Sequence, residues 1–270
     1  MRNVLALLTI LVVAPAALLG QQPTVAVIGT GNMGGSLGPR LAEAGYTVVY
    51  GSREPTRADV RELVALTGHG ASAASQEEAT AQAGVVVLAV HWEVMEDVLS
   101  NLGDVSGKIL VDMSGPNRLA ADGYMEISVE TSGGEVIQRW RPQARVVKTG
   151  LPSVYLIESP MILGRPPTVM LASDDREAKE IVGRMVADIG LDPWDAGPLR
   201  MSRAMEALGL LFWVPLLQGR EQGIEVHLLR SSFWPCSWDV QADFGAPPDV
   251  EDLAQVPVPA PPQPCEFWTR

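Results

Sequence analysis

Basic residues are scarce in this chain: Lys and Arg number 20 against 32 Asp and Glu, a net charge of −12. A polyanion is repelled by such a balance, which excludes nucleic acid as a partner. It does not exclude a local basic pocket for a small phosphorylated ligand. Cysteine is almost missing, with only Cys236 and Cys265. There is no C-x-x-C and no metal-ligand spacing, so no metal site is expected. The two cysteines form one disulfide if the chain is exported and are free thiols if it stays in the cytosol. Long apolar runs are also lacking. Neither residues 4–14 nor residues 207–217 reach the roughly 20 residues that a spanning helix needs.

What the chain does have is enough apolar residue, 47% of 270, for a sizeable core in one or two domains. The first twenty residues stand apart. Arg2 precedes an apolar run interrupted only by Thr9, then Pro15, Ala16, Ala17 and Gly20. A positive start, an apolar centre and small residues near the exit describe a secretory signal peptide, cleaved after Ala16 or Gly20. Export to a periplasm or the medium is therefore expected. An N-terminal anchor is the second reading, and a cytoplasmic protein with a mis-assigned start the third.

The centre of the chain's organisation is Val25 to Gly38. The apolar Val25 to Ile28 reads as a buried strand, broken at Gly29-Thr30-Gly31, and Asn32 to Ala44 has helical periodicity. Gly29, Gly31 and Gly34 thus make a G-x-G-x-x-G between a strand and a helix. Gly29 permits the tight turn, Gly31 lets backbone approach a pyrophosphate, and Gly34 lets helix and strand pack closely. The amides of Thr30, Asn32 and Met33 and the positive helix end then face the phosphates. This placement predicts a dinucleotide site.

The tip of the next strand, Tyr46 to Tyr50, selects the dinucleotide. A site for NAD places a carboxylate there to accept the ribose hydroxyl. Here the tip reads Gly51-Ser52-Arg53, with Arg57 four residues on. A hydroxyl and two guanidinium groups suit a 2′-phosphate, so NADP(H) is the expected cofactor. Glu54 is the dissenting residue, pointing away or pairing with Arg57.

Further along, helices are expected from Val60 to Leu66 and from Gln76 to Ala83, the latter with Ser75 and Glu78 in capping-box register. Short strands are expected over residues 70–75, 84–90, 108–113 and 145–148. Strands alternating with helices at this spacing predict a Rossmann-type, doubly wound parallel α/β domain over residues 24–150. Residues 121–142 read as a helix with loops. A small substrate-side α/β domain follows over 151–220, with a strand over 168–173 and an amphipathic helix over 176–189 capped by Asp174. Residues 192–199 read as a turn-rich connection. An apolar helix from Leu199 to Gln218, kinked at Pro215, is suited to core packing or a homodimer interface. Residues 221–270 form a Pro-rich, largely irregular tail, with Pro257, Pro259, Pro261, Pro262 and Pro264 close together.

With these pieces in place, the stretch from about Thr24 to Gly219 resembles the deazaflavin (coenzyme F-420)-dependent NADP reductase family. The same domain occurs in six-transmembrane metalloreductases. The resemblance rests on Ile28-Gly-Thr-Gly-Asn-Met-Gly34, Gly51-Ser-Arg53, Val87-Leu-Ala-Val-His-Trp92, and Asp195-Ala-Gly-Pro-Leu199 followed by Ala204-Met-Glu206. It implies NADP(H) on the first domain, with the nicotinamide near Ala89, Val90 and His91 at the end of the fourth strand. It also implies a deazaflavin or flavin-like ring, or another small redox acceptor, in the cleft, and direct hydride transfer between rings. Such transfer needs positioning and exclusion of water more than an acid or base. The chain departs from the family at His91, where Pro is usual, at Ser114-Gly-Pro-Asn-Arg118 and at Lys148-Thr-Gly-Leu-Pro152, all on the cleft side.

His91 reads either as a group that binds the nicotinamide amide or relays a proton, or as a partly exposed loop histidine. Lys148 reads as a cleft cation for an acidic substrate or, more plainly, as a strand-end charge in solvent. Two other functions fit the same residues. One is an NADP-binding sensor or partner module with a decayed cleft. The other is a pyrroline-carboxylate reductase-like enzyme, against which the strand over 168–173 argues.

Overall fold

The computed structural model describes residues 22–150 and 166–219, together with the single positions 157 and 228. The expected signal peptide, the two cysteines and the Pro-rich tail lie outside the described residues.

Strand β1 (Thr24–Ile28) lies in the interior of an eight-stranded sheet. Its alternate side chains enter two different cores: Val25 and Val27 one, Ala26 and Ile28 the other. A strand covered on both faces has no polar side, which is why the run is continuously apolar. The same division holds in β4 (Val85–Leu88) and, up to its last residue, in β5 (Ile109–Asp112). Helix α1 (Asn32–Glu43) covers the first face through Leu37 and Leu41. Helix α3 (Gln76–Gln82) covers the second through Ala79. Between them come β2 (Thr47–Gly51), α2 (Ala58–Thr67) and β3 (Ser72–Ala74). The capping box of α3 forms as expected: Glu78 N donates to Ser75 Oγ, and Ser75 N donates to Glu78 Oε2.

After β4, a 3-10 turn (Trp92–Val94) leads into α4 (Met95–Ser100), which adds Met95, Val98 and Leu99 to the second core. The region expected as a helix with loops divides in two. Strands β6 (Asn117–Leu119) and β7 (Met125–Ile127) form an antiparallel hairpin, and α5 (Gly133–Trp140) follows. The hairpin strands, three residues each, are too short for periodicity to show them. Ser132 caps α5 by accepting from Glu135 N.

β8 (Arg145–Gly150) pairs parallel with β5, and β9 (Thr168–Ala172) pairs antiparallel with β8. The small C-terminal α/β part is therefore joined to the edge of the same sheet, in the order β10-β9-β8-β5-β4-β1-β2-β3. Its helix α6 (Arg176–Asp188) packs Val182, Met185 and Val186 on the first core. Asp175, not Asp174, is its cap, accepting from Ala178 N; Asp174 accepts from Leu199 N instead. Most of the expected turn-rich connection is strand β10 (Asp192–Gly197), parallel to β9. β10 is an edge strand, where a proline lacking a donor is tolerated, so Pro193 does not break it. The expected single helix from Leu199 is segmented: a 3-10 turn (Leu199–Met201), α7 (Ser202–Leu210), a second 3-10 turn (Leu211–Trp213) and α8 (Val214–Leu217). Pro215 occupies the first turn of α8, where a missing N–H costs nothing, instead of kinking a longer helix.

Candidate functional site

The sheet's strand order runs outward from β1 in both directions, to β2 on one side and β4 on the other. This is the switch point at which doubly wound sheets bind ligands, beyond the strand carboxyl ends. The glycine loop lies there. Gly29 has φ +114°, and a Cβ on it would lie 2.3 Å from the carbonyl oxygen of Ala89. A Cβ on Gly34 would lie 1.9 Å from the carbonyl oxygen of Gly29. Both glycines are thus required by close backbone contacts. Gly31 differs: nothing comes within 4 Å of the position its Cβ would take. It is the N-cap of α1, without a side-chain cap and with no acidic residue in the first turn. Neutral and open, the positive end of α1 suits a pyrophosphate. Thr30 and Met33 are half-buried beside it and Asn32 is exposed.

At the tip of β2, Ser52 is buried; its N–H donates to the Ala74 carbonyl and its Oγ accepts from Glu54 N. Arg53 is exposed, and among the described residues it makes no ion pair. Arg57 does not pair with Glu54. It forms a forked ion pair with Asp59, Nε to Oδ1 at 2.5 Å and the terminal nitrogen to Oδ2 at 2.9 Å. That contact raises the guanidinium's pKa, through the hydrogen bond first and the charge second. Of the two arginines, Arg53 is the one whose guanidinium is uncommitted.

On the other side of β1, the Ala89 N–H donates to the Ile28 carbonyl at 2.9 Å, tying the end of β4 to the glycine loop. Ala89 and Val90 are half-buried. His91 is exposed and precedes the 3-10 turn without capping it through its side chain. Trp92 stacks on Trp140 of α5, with centroids 5.7 Å apart and planes 13° from parallel.

Lys148 is not in solvent. It is 2% exposed, and its Nζ lies 2.9 Å from Asp112 Oδ2 and 3.0 Å from Glu206 Oε1. Its Nζ also donates to the Ser114 carbonyl. Asp112 and Lys148 are opposite one another in the β5–β8 register, so this is a side-by-side pair on one face of the sheet. Asp112 Oδ1 accepts from the N–H and Oγ of Ser114 at 2.8 and 2.6 Å. Glu206, on α7, accepts from Gly133 N at the start of α5, both oxygens at 3.0 Å. Burial works to lower the pKa of Lys148, but the two carboxylates hold it above the usual lysine range. Burial raises Glu206, and Asp112 adds to this, against the pull of Lys148. Asp112 and Glu206 are not among the residues expected from sequence. The signal for Asp112 was a charge at the end of an otherwise apolar strand; Glu206 lies on the buried side of α7, beside Ser202 and Met205.

Among the described residues, no group of His, Cys, Asp or Glu is arranged to hold a metal. None of their helices is long and apolar enough to cross a membrane.

Comparison with known proteins agrees with this geometry. Residues 24–116 match the family model described as NADP oxidoreductase, coenzyme F420-dependent. Metalloreductase STEAP3 of Rattus norvegicus is 31% identical over 191 residues, which are 70% of this chain and 37% of that protein. The chain thus spans little more than a third of the metalloreductase. The F420-dependent NADP reductase of Methanothermobacter thermautotrophicus is 27% identical over 197 residues, 68% of this chain and 85% of that protein. A solved structure described as an F420-dependent NADP-reductase from Arthrobacter sp. FB24 superposes with a TM-score of 0.68 at 27% identity, over 77% of this chain and all of that one. Residues 24–116 thus form a domain that matches the coenzyme F420-dependent NADP oxidoreductase family, and the similarity to its reductases continues over about two thirds of the chain.

Proposed function

We propose that this chain binds NADP(H) across the ends of β2, β1, β4 and β5 and transfers hydride between it and a small redox acceptor of deazaflavin or flavin type. The observation that carries the reading is the open side of Gly31 at the uncapped start of α1. A pyrophosphate seated there directs the adenosine half toward β2 and the nicotinamide half toward β4 and β5. Ser52 and Arg53 then meet the 2′-phosphate, Arg53 by charge-assisted hydrogen bonds. Ala89, Val90 and His91 border the nicotinamide half, with His91 the polar group available to its amide. A bound nicotinamide would supply or accept the hydride; the protein's part is to align the two rings and keep water away. The acceptor class is supported by the names of the relatives that match over most of their length, both F420-dependent NADP reductases.

Self-association is proposed through the segment from Leu199 to Gln218, where Leu211, Trp213, Leu216 and Leu217 are exposed.

The test uses purified chain, NADPH and NADH titrations, and a panel of acceptors comprising deazaflavin, FAD, FMN and ferric chelates. Arg53→Ala is expected to weaken NADPH binding by about 1.5–3 kcal/mol more than NADH binding. Equal losses would remove Arg53 from the phosphate. Tight NADPH binding with no acceptor reduced would favour the sensor or partner-module reading.

A further inference from the structure

The buried cluster of Lys148, Asp112 and Glu206 is not part of the glycine loop or of the β2 tip, yet it lies under the opposite end of the same crevice. Three segments that are far apart in sequence, β8, the end of β5 with its following loop, and α7, are joined by one ammonium group. Lys148 Nζ binds the carboxylate that ends β5, the carbonyl of Ser114 just after it and the carboxylate of α7. Asp112 binds the same serine through its N–H and hydroxyl. Every polar group of Ser114 is therefore fixed from beneath. Glu206 adds a fourth segment by accepting from Gly133 N.

Gly133 is where these constraints reach the crevice. A Cβ on it would lie 3.1 Å from Trp92 Cζ3, 3.2 Å from Glu206 Oε1 and 3.4 Å from Pro116 Cδ. Trp92 follows the end of β4 and Pro116 follows the end of β5, so both strand ends rest on the glycine that Glu206 holds. The Leu88 and Asp112 positions are paired in register, which sets the two loops side by side.

We propose that Lys148, Asp112 and Glu206 position the wall that receives the nicotinamide half of the cofactor, made by Trp92 and Ser114 to Pro116. The inference rests on the NADP(H) reading above and extends it to residues that do not touch the cofactor. They are positioning residues. Their effect falls on one half of the ligand, because the adenosine half is held by the glycine loop and Arg53, on the far side of β1.

That asymmetry makes the test independent of any acceptor. The full chain is titrated by calorimetry with NADPH and with 2′-phospho-ADP-ribose, which lacks the nicotinamide. Glu206→Gln keeps an oxygen for Gly133 N but removes the ion pair with Lys148. It is expected to bind 2′-phospho-ADP-ribose within about twofold of wild type and NADPH about tenfold more weakly, as when one charge-assisted hydrogen bond is lost. Lys148→Met is expected to shift the same ratio in the same direction. If it does not fold, Glu206→Gln decides alone. Equal weakening of both ligands would show a general role in the fold and overturn the proposal, as would no weakening of NADPH. Wild type binding neither ligand would overturn the NADP(H) reading itself, and this inference with it.

Discussion

The two ends of the crevice are built on opposite principles. At the Gly29–Gly34 end, the contacts on offer are backbone amides and a helix terminus, no side chain caps the helix, and Gly31 is open to solvent. At the β5–β8 end, the structure is held by charged side chains with almost no exposure, each partnered by another charge, a hydroxyl or a backbone group. The first end is held because its backbones are in contact at Gly29 and Gly34, where no bulkier residue fits. The second is rigid because separating buried charges is costly. Side chains added at the glycines thicken one side, and loss of charge loosens the other.

The largest expected effect comes from breaking the second wall. Lys148→Met leaves two carboxylates buried without a cation, and unfolding measurements at neutral pH should show a loss of about 3–5 kcal/mol. The sign with pH is specific. Glu206 already has a raised pKa, chiefly from burial, so its charging opposes the fold above the ordinary value of 4.5 and not below it. The deficit of the variant should therefore shrink as pH is lowered toward 4, where Glu206 takes up its proton. A deficit that does not change between pH 7 and 4 would mean the cluster is not held by these charges.

Breaking the first wall should separate stability from binding. Gly34→Ala forces a methyl group against the Gly29 carbonyl, at 1.9 Å before any shift, and should destabilise the chain by about 1–3 kcal/mol. Gly31→Ala meets nothing, at a backbone φ of −80° that alanine accepts. Its melting temperature should be unchanged, while NADPH binding weakens roughly ten- to a hundredfold as phosphate contacts are displaced. Thermal melts beside NADPH titrations check both. A stable Gly31→Ala that binds NADPH normally would take the pyrophosphate away from this loop.

The smallest effect sharpens the contrast along a single strand. Arg145, at the other end of β8, is also paired with carboxylates, Asp175 and Glu177, but in a partly exposed setting. Its guanidinium lowers the pKa of Asp175 to about 2, chiefly by hydrogen bonding. A depressed carboxyl contributes stability that is present above its unfolded value of 3.8 and is lost as pH falls toward about 2. Solvent screening limits the contribution, so Asp175→Ala should cost about 1 kcal/mol at neutral pH, mostly through the lost cap of α6. A flat difference between wild type and variant from pH 6 to 2.5 would show that the ion pair adds nothing to that cap.

Legibility from sequence follows the same division. Gly29 and Gly34 have the tight turn and the close packing expected of them, because a strand, a turn and a helix start are encoded in one contiguous stretch. The capping box at Ser75 and Glu78 was readable for the same reason. Arg57 was not: its partner, Asp59, is two residues away, and only the geometry shows the fork between them. The β6–β7 hairpin was hidden because strands of three residues are too short to show a periodicity. β10 was hidden by Pro193, which an edge position tolerates.

By itself, then, the amino-acid sequence determined the alternation of buried strands and helices, the glycine loop between β1 and α1, and the absence of a carboxylate at the tip of β2. These depend on neighbours in the chain. Only the tertiary structure decided that β9 and β10 extend the first sheet instead of starting another. It also decided that Lys148 is a buried cation and not a solvated one. Asp112, Lys148 and Glu206 meet through strand pairing and the return of α7, and the energy of a buried charge depends on the company it keeps in space.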